Sequence, residues 1–171
     1  MKKIYLSIII CWFCQYQRAQ SQIIAVSNVP AKNTARVPIP TGASVFGVFD
    51  GRSPCQEIAK EIKVKTIPEC IKIKWRLILF HDSLTNAPTT YILEGFVYRN
   101  PPKTGTWAIS RGSKTDANAI VFELDPDKTD PDHAFMFLLK ADDNVLFIMD
   151  KDRKLMVGND NFSYTLYRTV N

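Results

Sequence analysis

The stretch Ile71-Lys72-Ile73-Lys74-Trp75-Arg76-Leu77-Ile78-Leu79-Phe80 decides the fold. Ile71, Ile73, Trp75, Leu77 and Leu79 take every second position, and Lys72, Lys74 and Arg76 sit between them. Successive side chains of a strand point to opposite faces, so this alternation predicts an apolar wall on one side and a basic row on the other. Working outward, the same period predicts a strand at 161–169, with Phe162, Tyr164 and Leu166 on one side and Ser163, Thr165 and Tyr167 on the other. Shorter runs predict strands at 45–49, 62–67, 91–99, 105–110, 119–124, 134–140 and 144–149. Turn-forming residues separate them, as in Asn100-Pro101-Pro102-Lys103-Thr104-Gly105 and Asp142-Asp143-Asn144.

Short strands with short connections form antiparallel meanders, which cover their edges by closing into a barrel or by packing as a sandwich, and the barrel is the preferred reading. The expected class is therefore all-β, a small antiparallel up-and-down, lipocalin-like barrel of about eight strands. One short helix is expected near its start. There Ser53 reads as an N-cap, Pro54 as the first helical residue and Gln56 as part of a capping box, with Ile58, Ala59 and Ile62 as the inner face.

Upstream, Met1-Lys2-Lys3, the apolar run Ile4 to Phe13 and the small residues Ala19 and Ser21 have the order of a secretory signal peptide. The expected organisation is a signal peptide over 1–21, an extended arm over 22–44 with Pro30, Pro38 and Pro40, and a barrel domain over 45–171. The apolar run of the signal is too short to span a bilayer, so no membrane span is expected.

Of the 171 residues 46% are apolar and 23% charged, which excludes a disordered or collagen-like chain. The formal net charge is +5. Lys2, Lys3 and Arg18 account for three of those charges, and a nearly neutral remainder without a basic tract excludes nucleic acid as partner.

Two of the four cysteines, Cys11 and Cys14, fall inside the signal, and Cys55 and Cys70 remain. In an exported, oxidising compartment a Cys55–Cys70 disulfide is the simplest expectation. If reduced, the same two residues are the candidate metal ligands, or a redox pair. Met136, Met149, Met156, His81 and His133 are further soft or borderline donors, although methionines among Phe135, Phe137 and Phe147 read first as core filler.

His81 and His133 stand in no nucleophile motif, and the chain has neither a G-x-S-x-G elbow nor an H-E-x-x-H pair, so no catalytic residue is assigned. The acidic run Asp125 to Asp132 lacks the glycine and closing glutamate of an EF-hand and reads as a solvated turn. Lys72, Lys74 and Arg76, with Lys63 and Lys65 nearby, form a face able to meet an acidic partner or anionic surface.

In order along the chain, Gly47-Val48-Phe49 with Ser53-Pro54-Cys55 and Ile58, then Gly105-Thr106-Trp107, then Val145 to Asp150, Leu155 and Asn161-Phe162-Ser163-Tyr164-Thr165-Leu166 form a pattern over residues 45–168. This pattern resembles the N-terminal domain of the copper-resistance lipoprotein NlpE and its relatives. The resemblance implies a lipocalin-like envelope barrel that is not an enzyme and that senses envelope stress or takes a copper-related role through an envelope protein partner. Only Cys55 corresponds to the family's C-x-x-C pair, since Ile58 stands where the second cysteine would be. The alternative expectation is a lipocalin-like carrier of a small apolar ligand, and large inward residues at Trp75, Trp107, Phe122, Phe137, Phe147 and Tyr164 favour a filled barrel over a hollow one.

Overall fold

A computed structural model of the chain describes residues 38–95, 101–126 and 135–169. The expected signal peptide, most of the expected arm, His133 and most of the acidic run lie outside the described residues. From Pro38 onward the chain forms one unit. Its elements are β1 (Val45–Pro54), α1 (Cys55–Glu61), β2 (Lys72–His81), β3 (Pro88–Glu94), β4 (Lys103–Arg111), β5 (Ile120–Leu124), β6 (Met136–Lys140), β7 (Val145–Met149) and β8 (Thr165–Arg168). Each strand pairs antiparallel with the next, and β8 returns to β1 to close an eight-stranded barrel, the expected class.

The alternation of β2 holds as read. Ile73, Trp75, Leu77 and Leu79 are buried in the barrel core, while Ile71 precedes the strand and is 71% exposed. From the other strands Phe49, Tyr91, Leu93, Trp107, Phe122, Leu124, Met136, Leu138, Leu146, Ile148 and Leu166 complete the interior. Tyr164, just before β8, joins them.

Phe137 and Phe147 depart from their expected inward place. In β6 and β7 the inward pair is Leu138 with Ile148, so the neighbouring pairs, Phe137 with Met149 and Leu139 with Phe147, lie on the outer face. Phe137 and Met149 are nevertheless buried, in a second apolar cluster with Val121. Arg153, from the turn after β7, covers that cluster with its guanidinium 4.7 Å from the Phe137 ring centre. It also donates to Glu123 and, at 3.1 Å, to Ser110 Oγ. An outer face under such a clamp looks as apolar in sequence as an inner one.

The expected strand at 62–67 is not formed. The chain leaves α1 through Lys63, whose φ of 55° is left-handed, and Val64 N–H donates back to Ala59 O at 2.8 Å while Lys63 N–H donates to Lys60 O at 3.2 Å. These are the paired bonds of a Schellman helix end, which turns the chain back along the helix. The Gln56 amide then donates to Ile67 O and Cys70 O, both at 3.0 Å, so the segment is held by a side chain rather than by a strand partner.

The start of the helix is also one residue later than read. β1 runs through Pro54, Cys55 is the first helical residue, and no side chain caps the helix. Ser53 is fully buried, and its hydroxyl accepts a 2.8 Å hydrogen bond from the Trp75 indole N–H across the β1–β2 pair. Ile58 and Ala59 face inward as expected.

A polar knot fastens β3, β4 and the end of β5. Asp125, with φ 49°, accepts from the Tyr91 hydroxyl at 2.8 Å and pairs with Lys103 at 2.8 Å, and its other carboxylate oxygen accepts from Thr106 N–H. Gly105 lies opposite Tyr91, and a methyl group there would overlap that carboxylate and stand 2.8 Å from the Tyr91 ring. Gly105→Ala is therefore expected to destabilise the fold by about 1–3 kcal/mol, as other overpacking does. Chemical denaturation checks this, through a lower midpoint at an unchanged slope; a midpoint equal to that of the wild type contradicts it.

Candidate functional site

Cys55 and Cys70 are joined by a disulfide, with their Cα atoms 5.7 Å apart. The bond ties the first residue of α1 to the segment two residues ahead of β2. Cys55 and Ile58 are buried against the barrel core, so the helix serves as a lid over one end of the barrel. In the bonded form neither sulfur is a thiolate, the form that ligates a soft metal. Among the described residues no three His, Cys, Asp or Glu side chains gather as a metal site. The other expected donors are dispersed. Met136 is in the barrel core, Met149 in the outer cluster, Met156 is packed at the core's edge, and His81 meets Phe46 edge-on with centroids 6.0 Å apart.

The interior carries aromatic filling toward the other end. Phe46, Trp107 and Phe122 pack on one another with centroids 5.0–5.6 Å apart, and the Trp107 indole N–H donates to Phe80 O at 2.6 Å. Arg168 extends from β8 over this end. Its guanidinium lies 4.8 Å from the Phe49 ring centre and donates to Asp143 O at 2.7 Å and Phe46 O at 2.9 Å. A guanidinium over aromatic faces, with its N–H groups spent on carbonyls, closes that end with a well-satisfied cation.

Two buried phenols hold their protons. Burial, and then the hydrogen bond and charge of Asp125, push Tyr91 far above the usual tyrosine range. Tyr164 is pushed up to about 12, first by burial and then by the charge of Glu57 on α1. The Tyr164 hydroxyl is buried with no hydrogen-bond partner at normal distance.

The charged chemistry lies outside the barrel. An open trough of about 680 Å³ runs over the outer face of β8, β1, β2 and β3, bounded by the segment Asn161–Ser163. Register places Tyr167, Asp50, Arg76 and Glu94 in one row across the four strands, with Arg52 and Lys74 opposite each other in the next. Asp50 accepts two 2.9 Å bonds from Arg76 and a third, also 2.9 Å, from the Thr169 hydroxyl. The Arg76 bond is the largest cause that holds the Asp50 carboxyl below the usual carboxylate range.

The basic face of β2 was legible from its alternation. Asp50, Tyr167 and Glu94 were not, because only the register across the barrel brings them together. Cys55 and Cys70 are brought together as expected, while His81 stands apart from the trough's lining. The chain matches no family model, no curated protein and no solved structure in comparisons with each.

Two outcomes follow for stability. A disulfide closing fifteen residues is worth about 3 kcal/mol on loop entropy, so reduction is expected to lower the melting temperature clearly, and equal melting curves with and without reductant would contradict it. Unfolded tyrosine ionises near pH 10 and folded Tyr164 at about 12, so the folded state loses stability as pH rises through that window. Tyr164→Phe is expected to lessen this loss and to cost little at neutral pH, since the hydroxyl it removes is unpaired. Denaturant midpoints at pH 7 and in steps above pH 10 measure both, and a large loss at pH 7 would show that the hydroxyl is needed.

Proposed function

We propose that the chain is an exported, non-enzymatic barrel of the cell envelope, akin to the NlpE N-terminal domain, acting in envelope stress sensing or a copper-related response through contact with a partner protein. The observation that carries this reading is where the space and the charges lie. The interior is occupied by Trp75, Trp107, Phe122, Tyr91 and the aliphatic core, one end is covered by α1 and the other by Phe46 and Arg168. The open, charged trough is on the outside. A barrel so arranged meets other molecules with its surface.

The Cys55–Cys70 disulfide supports export, because such bonds persist in oxidising compartments and are rare in the cytosol. It also bears on copper. With both sulfurs bonded, the pair lacks the thiolates a soft metal takes, so a copper-related role is one of signalling rather than of storage at these cysteines. The carrier reading needs an apolar cavity of ligand size, roughly 300–1,000 Å³, and the large core side chains Trp75, Trp107, Phe122 and Tyr91 count against one.

Expression of the full chain in a Gram-negative host, followed by intact mass of the unreduced periplasmic fraction, tests the reading. The expected product begins at Gln22 and is lighter than the dithiol form by the hydrogens that a disulfide removes. A titration with an apolar fluorescent probe is expected to leave the tryptophan emission unchanged. A full-length, reduced chain kept in the cytoplasm would overturn the export reading, and saturable probe binding would favour the carrier.

A further inference from the structure

We infer that the trough on the outer face of β1 and β2 is a docking site for an acidic segment of a partner polypeptide, with Arg52 and Lys74 as its anchors. The inference rests on the reading of the chain as a partner-binding barrel and adds the chemistry of the partner.

The charges along the trough are unevenly distributed. In the row of Asp50, Arg76 and Glu94, the cation stands between two acids, and Asp50 is bound to it on both carboxylate oxygens. Asp50 and Arg76 satisfy each other within the fold, and Glu94 lies beside Arg76 but joins no ion pair among the described residues. One step toward the helix end, Arg52 and Lys74 are opposite neighbours on the outer face, both exposed, and neither joins an ion pair among the described residues. Two like charges directly across a strand pair repel one another, a cost that an intervening anion removes. Lys72 adds a third cation at the rim, 5.6 Å from the Phe162 ring centre.

The shape fits a chain rather than a small apolar molecule. β8 pairs with β1 only as far as Gly51, so Arg52 to Pro54 run beyond it and the trough opens between this part of β1 and Asn161–Ser163. Its volume of about 680 Å³ is within the range of ligand-sized clefts, and it is open to solvent along its length. Phe162 is half-buried at one side, and Tyr167 is 56% exposed at the other. An aromatic side chain that presents a face and a polar tip suits an interface whose rim stays wet. A carboxylate between Arg52 and Lys74, with an apolar neighbour on Phe162 or Tyr167, satisfies both features.

The test uses the mature oxidised protein and a fluorescein-labelled heptapeptide of alternating glutamate and tyrosine, with the same peptide carrying glutamine for glutamate as control. Anisotropy at low ionic strength is expected to show saturable binding of the acidic peptide that weakens as salt is raised, and tenfold or weaker binding of the control. Arg52→Glu with Lys74→Glu is expected to cost about tenfold in affinity, the scale of two rim ion pairs lost and reversed. Lys114→Glu, on the hairpin between β4 and β5, is expected to bind as the wild type does. Both trough residues are exposed, so circular dichroism of the double variant should match the wild type, and the salt titration on the wild type gives an independent reading if it does not. Equal affinity of the double variant, equal affinity of the glutamine control, or no saturable binding would overturn the inference. Displacement of the peptide by phosphatidylglycerol vesicles would also overturn it, in favour of a membrane surface. In each of these cases the mass and location of the exported chain stand as a separate result, so loss of the acidic-segment inference is distinguishable from loss of the envelope-barrel reading.

Discussion

Closure of the barrel is the constraint on which the rest of the structure depends, and it rests on a short contact. β8 has four residues and meets β1 through three register pairs, Phe49 with Arg168, Asp50 with Tyr167 and Gly51 with Leu166. Gly51 allows this approach, because a methyl group on it would run into the Thr165 carbonyl and the Leu166 side chain. Without these pairs, β1 and β8 would both present unpaired backbone, the condition that leads sheets to aggregate. With them, eight strands enclose a space just wide enough for side chains. Trp75, Trp107, Phe122 and Tyr91 are among the large side chains that occupy it.

Closure also explains what the sequence made legible. A period of two is a local property, and it identified β2 and the barrel class because the inner face of a closed barrel is uniformly apolar. It failed at Phe137, where the outer face is apolar too under the Arg153 clamp, and at Phe147, which pairs with Leu139 on that same outer face, so neither side of these strands was marked by polarity. It failed again at 62–67, where alternating Ile62, Val64 and Thr66 imitate a strand while the left-handed turn at Lys63 and the Gln56 amide direct the chain elsewhere. Ser53 shows the limit of a capping motif. Its hydroxyl has two claimants, the start of α1 and the Trp75 indole, and burial decides for the indole.

The candidate site was legible only in part, for the same reason. Lys72, Lys74 and Arg76 could be read from one strand. That Arg76 is neutralised by Asp50 while Arg52 and Lys74 are not depends on the β1–β2 register, which links residues 22 to 26 positions apart and has no local signature. Which cations are spent within the fold, and which are left without an ion pair among the described residues, is a question of pairing rather than of composition.

The disulfide then has a second consequence beyond stability. Arg52 stands three residues before Cys55, and Lys74 four residues after Cys70, so the bond closes the ribbon that carries both cations. Within that ribbon, Ser53 and Trp75 are joined by their side chains, and Pro54 and Lys72 form the last register pair before the bond. This end of β1 extends beyond the pairing with β8, where a two-stranded ribbon alone would be marginal. The covalent link and the buried hydrogen bond hold Arg52 and Lys74 at a fixed spacing on that projecting end. A rigid pair of cations loses less entropy on meeting an anion than a mobile pair does. The feature that secures the lid over the barrel interior therefore also preorganises the charged surface outside it.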